Sequence, residues 1–346
     1  MQLKTHTSLA PFHTFSIEQS CDYLAEVSSV EDLTAIYQSP RWQSTPKLFL
    51  GKGSNMLFTE PYQGLVIVNK LLGKHVVETS QAYHLHIAGG EDWPQLVQWC
   101  VEHGYDGLEN LALIPGCCGS APIQNIGAYG VEFQDVCEYV DILCLETFDI
   151  KRLTRQECQF GYRDSIFKHA LYEKAIVVAV GLVVPKQWQP NNHYGPLQAI
   201  AEPSAKAIFE RVCQIRMEKL PDPEQTGNAG SFFKNPVIPT AQYQQLKLRY
   251  PNLVAYPSGE AMKVAAGWLI DQCGLKGECL GGAQIHPQQA LVIVNREHAT
   301  AQDIVELAKT VRDSVWQKYG IALEHEVRFM GATLETCLEN IVGEVQ

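Results

Sequence analysis

The chain has 346 residues, of which 46% are apolar and 19% charged, a composition of globular domains and not of a disordered chain. At roughly 100–200 residues per domain, two or three domains are expected. The net charge of −11 argues against a general nucleic-acid binder, whose affinity rests on lysines and arginines neutralising phosphates. A few placed cations can still hold one phosphate pair.

The opening MQLKTHTSLAPF lacks the apolar core of a signal peptide, and no apolar run reaches the roughly 18 residues of a membrane span. A cytoplasmic protein is expected. The 11 cysteines include no CxxC pair, only the adjacent Cys117 and Cys118, so they read as reduced, mostly core thiols with no metal site or disulfide framework.

From Ser16 to Lys70 a helix-like stretch alternates with the short strands LFLGKGSN and GLVIVNK. The next stretch, Val76 to Pro185, is strand-rich, with HLHIAGG and YVDILCLE alternating at period two and Ala175–Val184 reading as a buried strand. Trp93, Leu96, Val97, Cys100 and Val101 predict one helix there, stopped by Gly104. Residues 186–198, KQWQPNNHYGPLQ, are polar and read as a domain connection or a functional loop. From Ser204 the chain is more helical. Met262, Ala265, Ala266, Leu269, Ile270 and Cys273 form an apolar stripe ended by Gly274. QQALVIVN reads as a strand, and Thr300 with Asp303 as a capping box for a helix ended by Gly320.

Five segments carry chemistry. In GKGSNMLF, Gly51 and Gly53 make a turn where backbone can approach a phosphate, or an ordinary glycine turn. It lacks the third glycine and following helix of a dinucleotide fingerprint. The loop from Ala112 to Gly130 holds four glycines, and successive N–H groups from Gly116 to Ala121 could cradle a diphosphate. FGYRDSIFK places Arg163 beside an aromatic. In GNAGSFFKNP, Ser231 lies between a glycine and two phenylalanines that can dry a site, strengthening hydrogen bonds from Ser231 and Lys234. In LEHEVRF, Glu324, Glu326 and Arg328 alternate, so they would share one strand face. Read from residues alone, these describe a phosphate-binding α+β protein with an acid–cation site and no defined substrate.

In their joint order, GKGSN, GLENLALIPG, APIQNIGAYG, FGYRDS–FK, GNAGSFFKNP, AGWLIDQ–GLKG, GGA––H––QALV and LE–EVRF resemble the UDP-N-acetylenolpyruvoylglucosamine reductases of peptidoglycan synthesis, from Gly51 to Gly331. The resemblance implies an α+β fold: a two-subdomain FAD-binding domain of the vanillyl-alcohol-oxidase type over 16–185 (about 16–70 and 71–185), a connecting loop over 186–203, and a substrate-binding domain over 204–346. It implies that NADPH reduces non-covalent FAD, and that hydride then goes to C3 of the enolpyruvyl group and a proton to C2, in a monomer.

By the same resemblance Arg163 and Glu326 polarise the substrate carboxylate side and Ser231 protonates C2. Tyr162, Tyr194, Lys219, Asn235, Lys276 and Gln289 hold the UDP-sugar, with Tyr194 closing over it. The cofactor falls to Gly51, Gly53, Ser54 and Asn55 of the first glycine turn, to Pro115, Gly116, Gly119 and Ser120, and to Gln124, Asn125, Gly127, Ala128 and Tyr129.

The sequence departs from the family where NTFG is usual and His13-Thr14-Phe15-Ser16 stands here, and at Cys118, where a small aliphatic residue is common. Two rivals remain: a flavin dehydrogenase or oxidase of the same fold with another substrate, and a catalytically dead nucleotide-binding protein. The first requires Ser231, Arg163 and Glu326 to coincide by chance; the second does not require them intact. A yellow protein bleached by NADPH discriminates against the dead form.

Overall fold

In the computed structural model, which describes residues 2–344, the period-two segments form an antiparallel sheet. Its five strands run in the order Ile150–Thr154, Cys137–Cys144, Ala175–Pro185, Ala82–Ala88 and Lys74–Glu78. Along the central strand, Asp141 pairs with Ala179 but Ile142 with Val177, which leaves Val178 as an extra residue. Such a bulge turns the strand over. Val180, Leu182 and Val184 therefore bury in the same core as Val177, whereas Ile176 and Val178 bury with Leu65 and Ile67 in a second cluster. That second cluster forms on the parallel pair in which Lys47–Leu50 lies beside Leu65–Val68.

The helix expected after Gly90 runs Trp93–Glu102. Asp92 caps it by accepting from the Gln95 N–H at 3.0 Å, and Trp93, Leu96, Val97 and Cys100 face the core. Each fully buried side chain of this size contributes about 1.5–3 kcal/mol. Gly104, at φ 71°, follows the last turn as expected of a stop.

Two compact units divide the chain. The first takes the N-terminal residues through Thr5, then Tyr23–Lys52 and Leu65–Glu218; the second takes His6–Asp22, Gly53–Gly64 and everything from Lys219 onward. The sequence pointed to a break near 204. The helix Ala205–Lys219 instead lies almost wholly in the first unit, because Ile208, Val212 and Ile215 pack into its core.

The second unit has three small sheets. One is antiparallel, in the order Gly227–Asn228, Ile293–Asn295, Ala283–Ile285, Cys279–Leu280. Another sets Val237–Pro239 and Ala255–Ser258 on either side of Ala261–Val264. In the third, Arg328–Met330 pairs in parallel with Met56–Phe58. The helix Ala301–Tyr319 begins on the expected box, with Thr300 accepting from Asp303 N–H and Asp303 from Thr300 N–H, and ends at Gly320 with φ 64°. Among the described residues no helix is long and apolar enough to cross a membrane.

Three local expectations are corrected. Met262 lies on a strand, and only Ala266–Gln272 of its stripe is helical. QQALVIVN is strand only at Ile293–Asn295. Glu324 and Glu326 precede the strand that starts at Arg328, so the three do not share a strand face.

Ser16 has φ 51°, a left-handed conformation that costs an L-residue about 1–2 kcal/mol and glycine little. Its side chain is exposed. Ser16→Gly relieves that strain, offset by about 0.4–1 kcal/mol of unfolded-state entropy. A small net stabilisation, seen as a higher urea midpoint at unchanged slope, is expected; a lower midpoint would mean the serine hydroxyl is needed.

Candidate active site

In the first unit, Gly161 and Asp164 exchange backbone hydrogen bonds (3.0 and 3.3 Å), so Tyr162 and Arg163 form the tip of a tight turn. Arg163 takes the third position with φ 54°, where glycine is usual, and strain of this kind in a non-glycine residue concentrates at functional sites. Its Nη2 donates to the Gly127 carbonyl at 2.9 Å, and its guanidinium lies 5.4 Å from the centre of the Tyr162 ring. Asn125, fully buried, ties the turn down by donating from Nδ2 to the Gly161 carbonyl at 3.0 Å.

Gly127 and Ala128 pair with Glu132 and Val131 in a two-residue hairpin. Tyr129 and Gly130 form its turn at φ 50° and 84°, the double positive φ of the tightest hairpins. The Tyr129 ring meets Tyr194 edge-on at 5.8 Å, and Tyr194 remains 50% exposed. Residues around Tyr194 are pinned. Trp188 Nε1 donates to Glu109 at 2.8 Å, and Asn110 Nδ2 donates to the Asn191 carbonyl at 2.8 Å. Burial pushes the Glu109 carboxyl above its ordinary range.

The long glycine loop is built differently from the expected cradle. The N–H groups of Cys117, Cys118, Gly119, Ser120 and Ala121 are all taken, by Ser120 Oγ, Glu91, Gly89, Cys117 and Cys118 respectively. Gly116, at φ 140°, is the donor of this stretch left uncommitted among the described residues. Gly119 is required for packing: a Cβ there would lie 2.9 Å from the Gly89 carbonyl oxygen and 3.2 Å from that of Val177, beside the bulge. Likewise a Cβ on Gly51 would lie 2.6 Å from Cys117 Sγ. Cys118 is fully buried among apolar side chains, where burial holds its thiol neutral, so it serves as the small apolar residue usual at this position.

In the second unit, Gly53 (φ 58°) packs against segment 12–14; a Cβ there would meet the Phe12 carbonyl oxygen at 2.4 Å. Asn55 Nδ2 donates to the Glu326 carbonyl at 3.1 Å, and the Asn55 carbonyl accepts from Arg328 N–H at 3.1 Å. The expected cofactor residue Asn55 thus positions the backbone around Glu326.

The segment that follows Ser231 is joined by its backbone to the segment of Glu326. Glu326 N–H donates to the Phe232 carbonyl at 2.8 Å, Phe233 bridges His325, and Lys234 N–H donates to the Glu324 carbonyl at 2.9 Å. Gly230 (φ 72°) sets the turn before Ser231, its N–H donating to the buried Asn228 side chain at 2.9 Å. Phe232 and Phe233 are 1% and 2% exposed and belong to the core of the unit, so they anchor this ladder and do not roof the serine. Lys234, expected as a hydrogen-bond donor, donates to Glu324 in an ion pair.

Of the expected substrate residues, Asn235 accepts from Ala266 N–H at 2.9 Å and so caps the helix Ala266–Gln272. Lys276 pairs with Asp271 at 3.0 Å, and Gln289 Oε1 lies near Gly267. Lys219 is exposed at the end of its helix.

Arg216 was missed. Its Nε is buried without a hydrogen-bond partner among the described residues, and burial lowers its pKa in the neighbourhood of Tyr129 and Cys213. A half-buried guanidinium without an acid partner is poised for an anion. The signal was its spacing: Arg216 stands four residues after Val212 on the apolar stripe of its helix.

Residues 21–147 match the model of an FAD binding domain, and residues 222–330 match the C-terminal domain of UDP-N-acetylenolpyruvoylglucosamine reductase. The chain is 63% identical over 343 residues to the UDP-N-acetylenolpyruvoylglucosamine reductase of Vibrio vulnificus (strain YJ016), covering 99% of both chains. It is 58% identical over 345 residues to that of Vibrio cholerae serotype O1 (strain ATCC 39315 / El Tor Inaba N16961), again covering 99% of both. The crystal structure of the Thermus caldophilus UDP-N-acetylenolpyruvylglucosamine reductase superposes with a TM-score of 0.66 at 25% identity, over 95% of this chain and 99% of that one.

Proposed function

Because this chain belongs to the UDP-N-acetylenolpyruvoylglucosamine reductase family, we propose that it reduces UDP-N-acetylglucosamine enolpyruvate to UDP-N-acetylmuramate through FAD, with NADPH as reductant. The observation that supports the chemistry is the backbone ladder that bonds Phe232, the neighbour of Ser231, to Glu326.

The residues present fit FAD. Gly51, Gly53 and Gly119 are spent on close packing within the chain, but the Gly53 and Gly116 N–H groups are uncommitted among the described residues. The Gly53 donor, with Ser54 and Asn55 beside it in the second unit, suits a phosphate, and the Gly116 donor in the first unit suits one likewise. Gln124, Asn125 and the hairpin Gly127–Tyr129 suit the flavin end, with Pro115 and Ser120 shaping the loop. When bound, FAD carries the electron pair from NADPH to C3 of the enolpyruvyl group.

This chain's own residues supply the rest. Arg163, its guanidinium already oriented by Gly127, steadies the charge that grows on the substrate carboxylate, with Glu326 helping to hold that end. The enolate is basic, so the Ser231 hydroxyl suffices as the acid at C2. Lys219, Asn235, Lys276, Gln289, Tyr162 and Tyr194 hold the UDP-sugar, and Arg216 adds a half-buried cation for its diphosphate. Function as a cytoplasmic monomer completes this reading.

Anaerobic reduction by NADPH followed by addition of the enolpyruvyl UDP-sugar tests it directly: flavin absorbance should bleach, then return. Denaturation should release FAD. Recovery of FMN, or reoxidation that ignores the UDP-sugar, would defeat the reading. Tyr194→Phe keeps the edge-on ring and removes the hydroxyl. If that hydroxyl bonds the diphosphate, KM for the UDP-sugar rises about tenfold while bleaching by NADPH stays normal; an unchanged KM would leave the loop a connector.

A further inference from the structure

Asn110 is buried and stands beside the equally buried Glu109 on the short turn Glu109–Leu111 of the first unit. Its amide nitrogen faces two backbone carbonyls, donating to that of Asn191 at 2.8 Å and to that of Tyr129 at 2.9 Å. Carbonyls only accept, so the nitrogen and not the oxygen must point at them, and both of its protons are spent. One side chain thereby ties the polar segment 186–198 to the hairpin turn at Tyr129. The contact is reinforced from the other side: Asn191 Nδ2 donates to the Gly130 carbonyl at 3.3 Å, and a Cβ on Gly130 would lie 3.8 Å from the Cβ of Tyr194. Further back, Glu109 holds Trp188; beyond Tyr194, Leu197 is fully buried in the core of the unit. Tyr194 therefore sits in a tip of five residues, 192–196, each at least partly exposed and fixed at both ends.

We propose that Asn110 is a positioning residue for the UDP-sugar: its two hydrogen bonds hold the tip that carries Tyr194 against the Tyr129 hairpin, so the tyrosine meets the substrate already placed. This rests on the reading that Tyr194 holds the UDP-sugar. Without the clamp the loose segment would run back to the Trp188 anchor, lengthening from five residues to the eight of 189–196. Every added residue must be ordered again each time the sugar binds, and that entropy is taken from affinity. Asn110 is buried and acts through the backbone of Tyr129 and Asn191, so its effect falls on the binding of the sugar and not on the transfer of hydride or proton.

The test uses the holoenzyme. Asn110→Asp keeps the shape and sets a carboxylate oxygen against both carbonyls; Asn110→Ala removes the amide and leaves the carbonyls to water, and it decides alone if the aspartate variant does not fold. Oxidised holoenzyme is titrated with the enolpyruvyl UDP-sugar and followed by flavin absorbance. The Kd for the sugar should rise about 5–15-fold, while reoxidation of NADPH-reduced flavin at saturating sugar stays within about threefold of wild type. Equal losses in affinity and in rate, or release of FAD, would assign Asn110 to the stability of the hairpin and overturn the proposal. The substitution is then repeated in Tyr194→Ala, where a clamp that acts through Tyr194 should cost less than about twofold. An undiminished cost there overturns the proposal. If Tyr194→Ala itself binds the sugar as tightly as wild type, the reading of Tyr194 fails and takes the proposal with it; if only the Asn110 variants bind as tightly, the proposal alone falls.

Discussion

Ser231→Ala is expected to leave flavin reduction by NADPH intact and to slow reoxidation by the enolpyruvyl UDP-sugar about 10²–10⁴-fold, the usual cost of a missing positioned acid. Folding should survive, because the ladder that sets this segment runs through the backbone of Phe232, Phe233 and Lys234 and does not use the serine side chain. Since the two phenylalanine rings are turned into the core, water has access to replace the lost hydroxyl, which favours the lower half of that range. Ser231→Cys should recover part of the rate, as a thiol also donates a proton. Stopped-flow absorbance separates the two half-reactions. Normal reoxidation in the alanine variant would move the acid to Lys219 or to a bound water.

Arg163→Lys should cost the same half-reaction about 10²–10³-fold, the loss typical of one donor removed from a developing anion. The substitution isolates the guanidinium. Lysine is no better suited than arginine to φ 54°, so the turn strain is unchanged, but an ammonium cannot bond the Gly127 carbonyl and present a planar fork to a carboxylate together. Reoxidation within about threefold of wild type would reduce Arg163 to a brace for the Gly127 hairpin.

What could be read beforehand follows from the range of the forces involved. The helix Trp93–Glu102 and the box at Thr300 were legible because periodicity, caps and stop lie within a dozen residues of one another. The strand alternation proposed for Glu324, Glu326 and Arg328 was misleading. Its first part is held by a two-residue ladder to Phe232 and Lys234, a partner some ninety residues away in sequence that alternation cannot reveal. The glycines from Gly116 to Gly119 pointed correctly to close approach, but not to what approaches: at Gly119 it is the backbone of Gly89 and Val177. Arg216 was hidden because a cation on an apolar stripe looks like a helix edge until its burial is known. The matched families establish an α+β protein with an FAD-binding domain ahead of the C-terminal domain.

The interleaved division of the chain has a consequence during synthesis. His6–Asp22 and Gly53–Gly64 leave the ribosome early, yet their partners, among them Asn228 for Thr14 and Glu326 for Asn55, lie beyond Lys219. About 150 residues separate Gly64 from Lys219, which at about 5–20 residues per second is about 8–30 s of elongation. Through that interval apolar side chains such as Phe15, Ile17 and Leu57 have no native core to enter. The first unit can close around its sheet in that time, but the second becomes a folding unit only when the chain beyond Lys219 is made, so the nascent chain is most exposed to aggregation over the stretch in which its N-terminal segments wait.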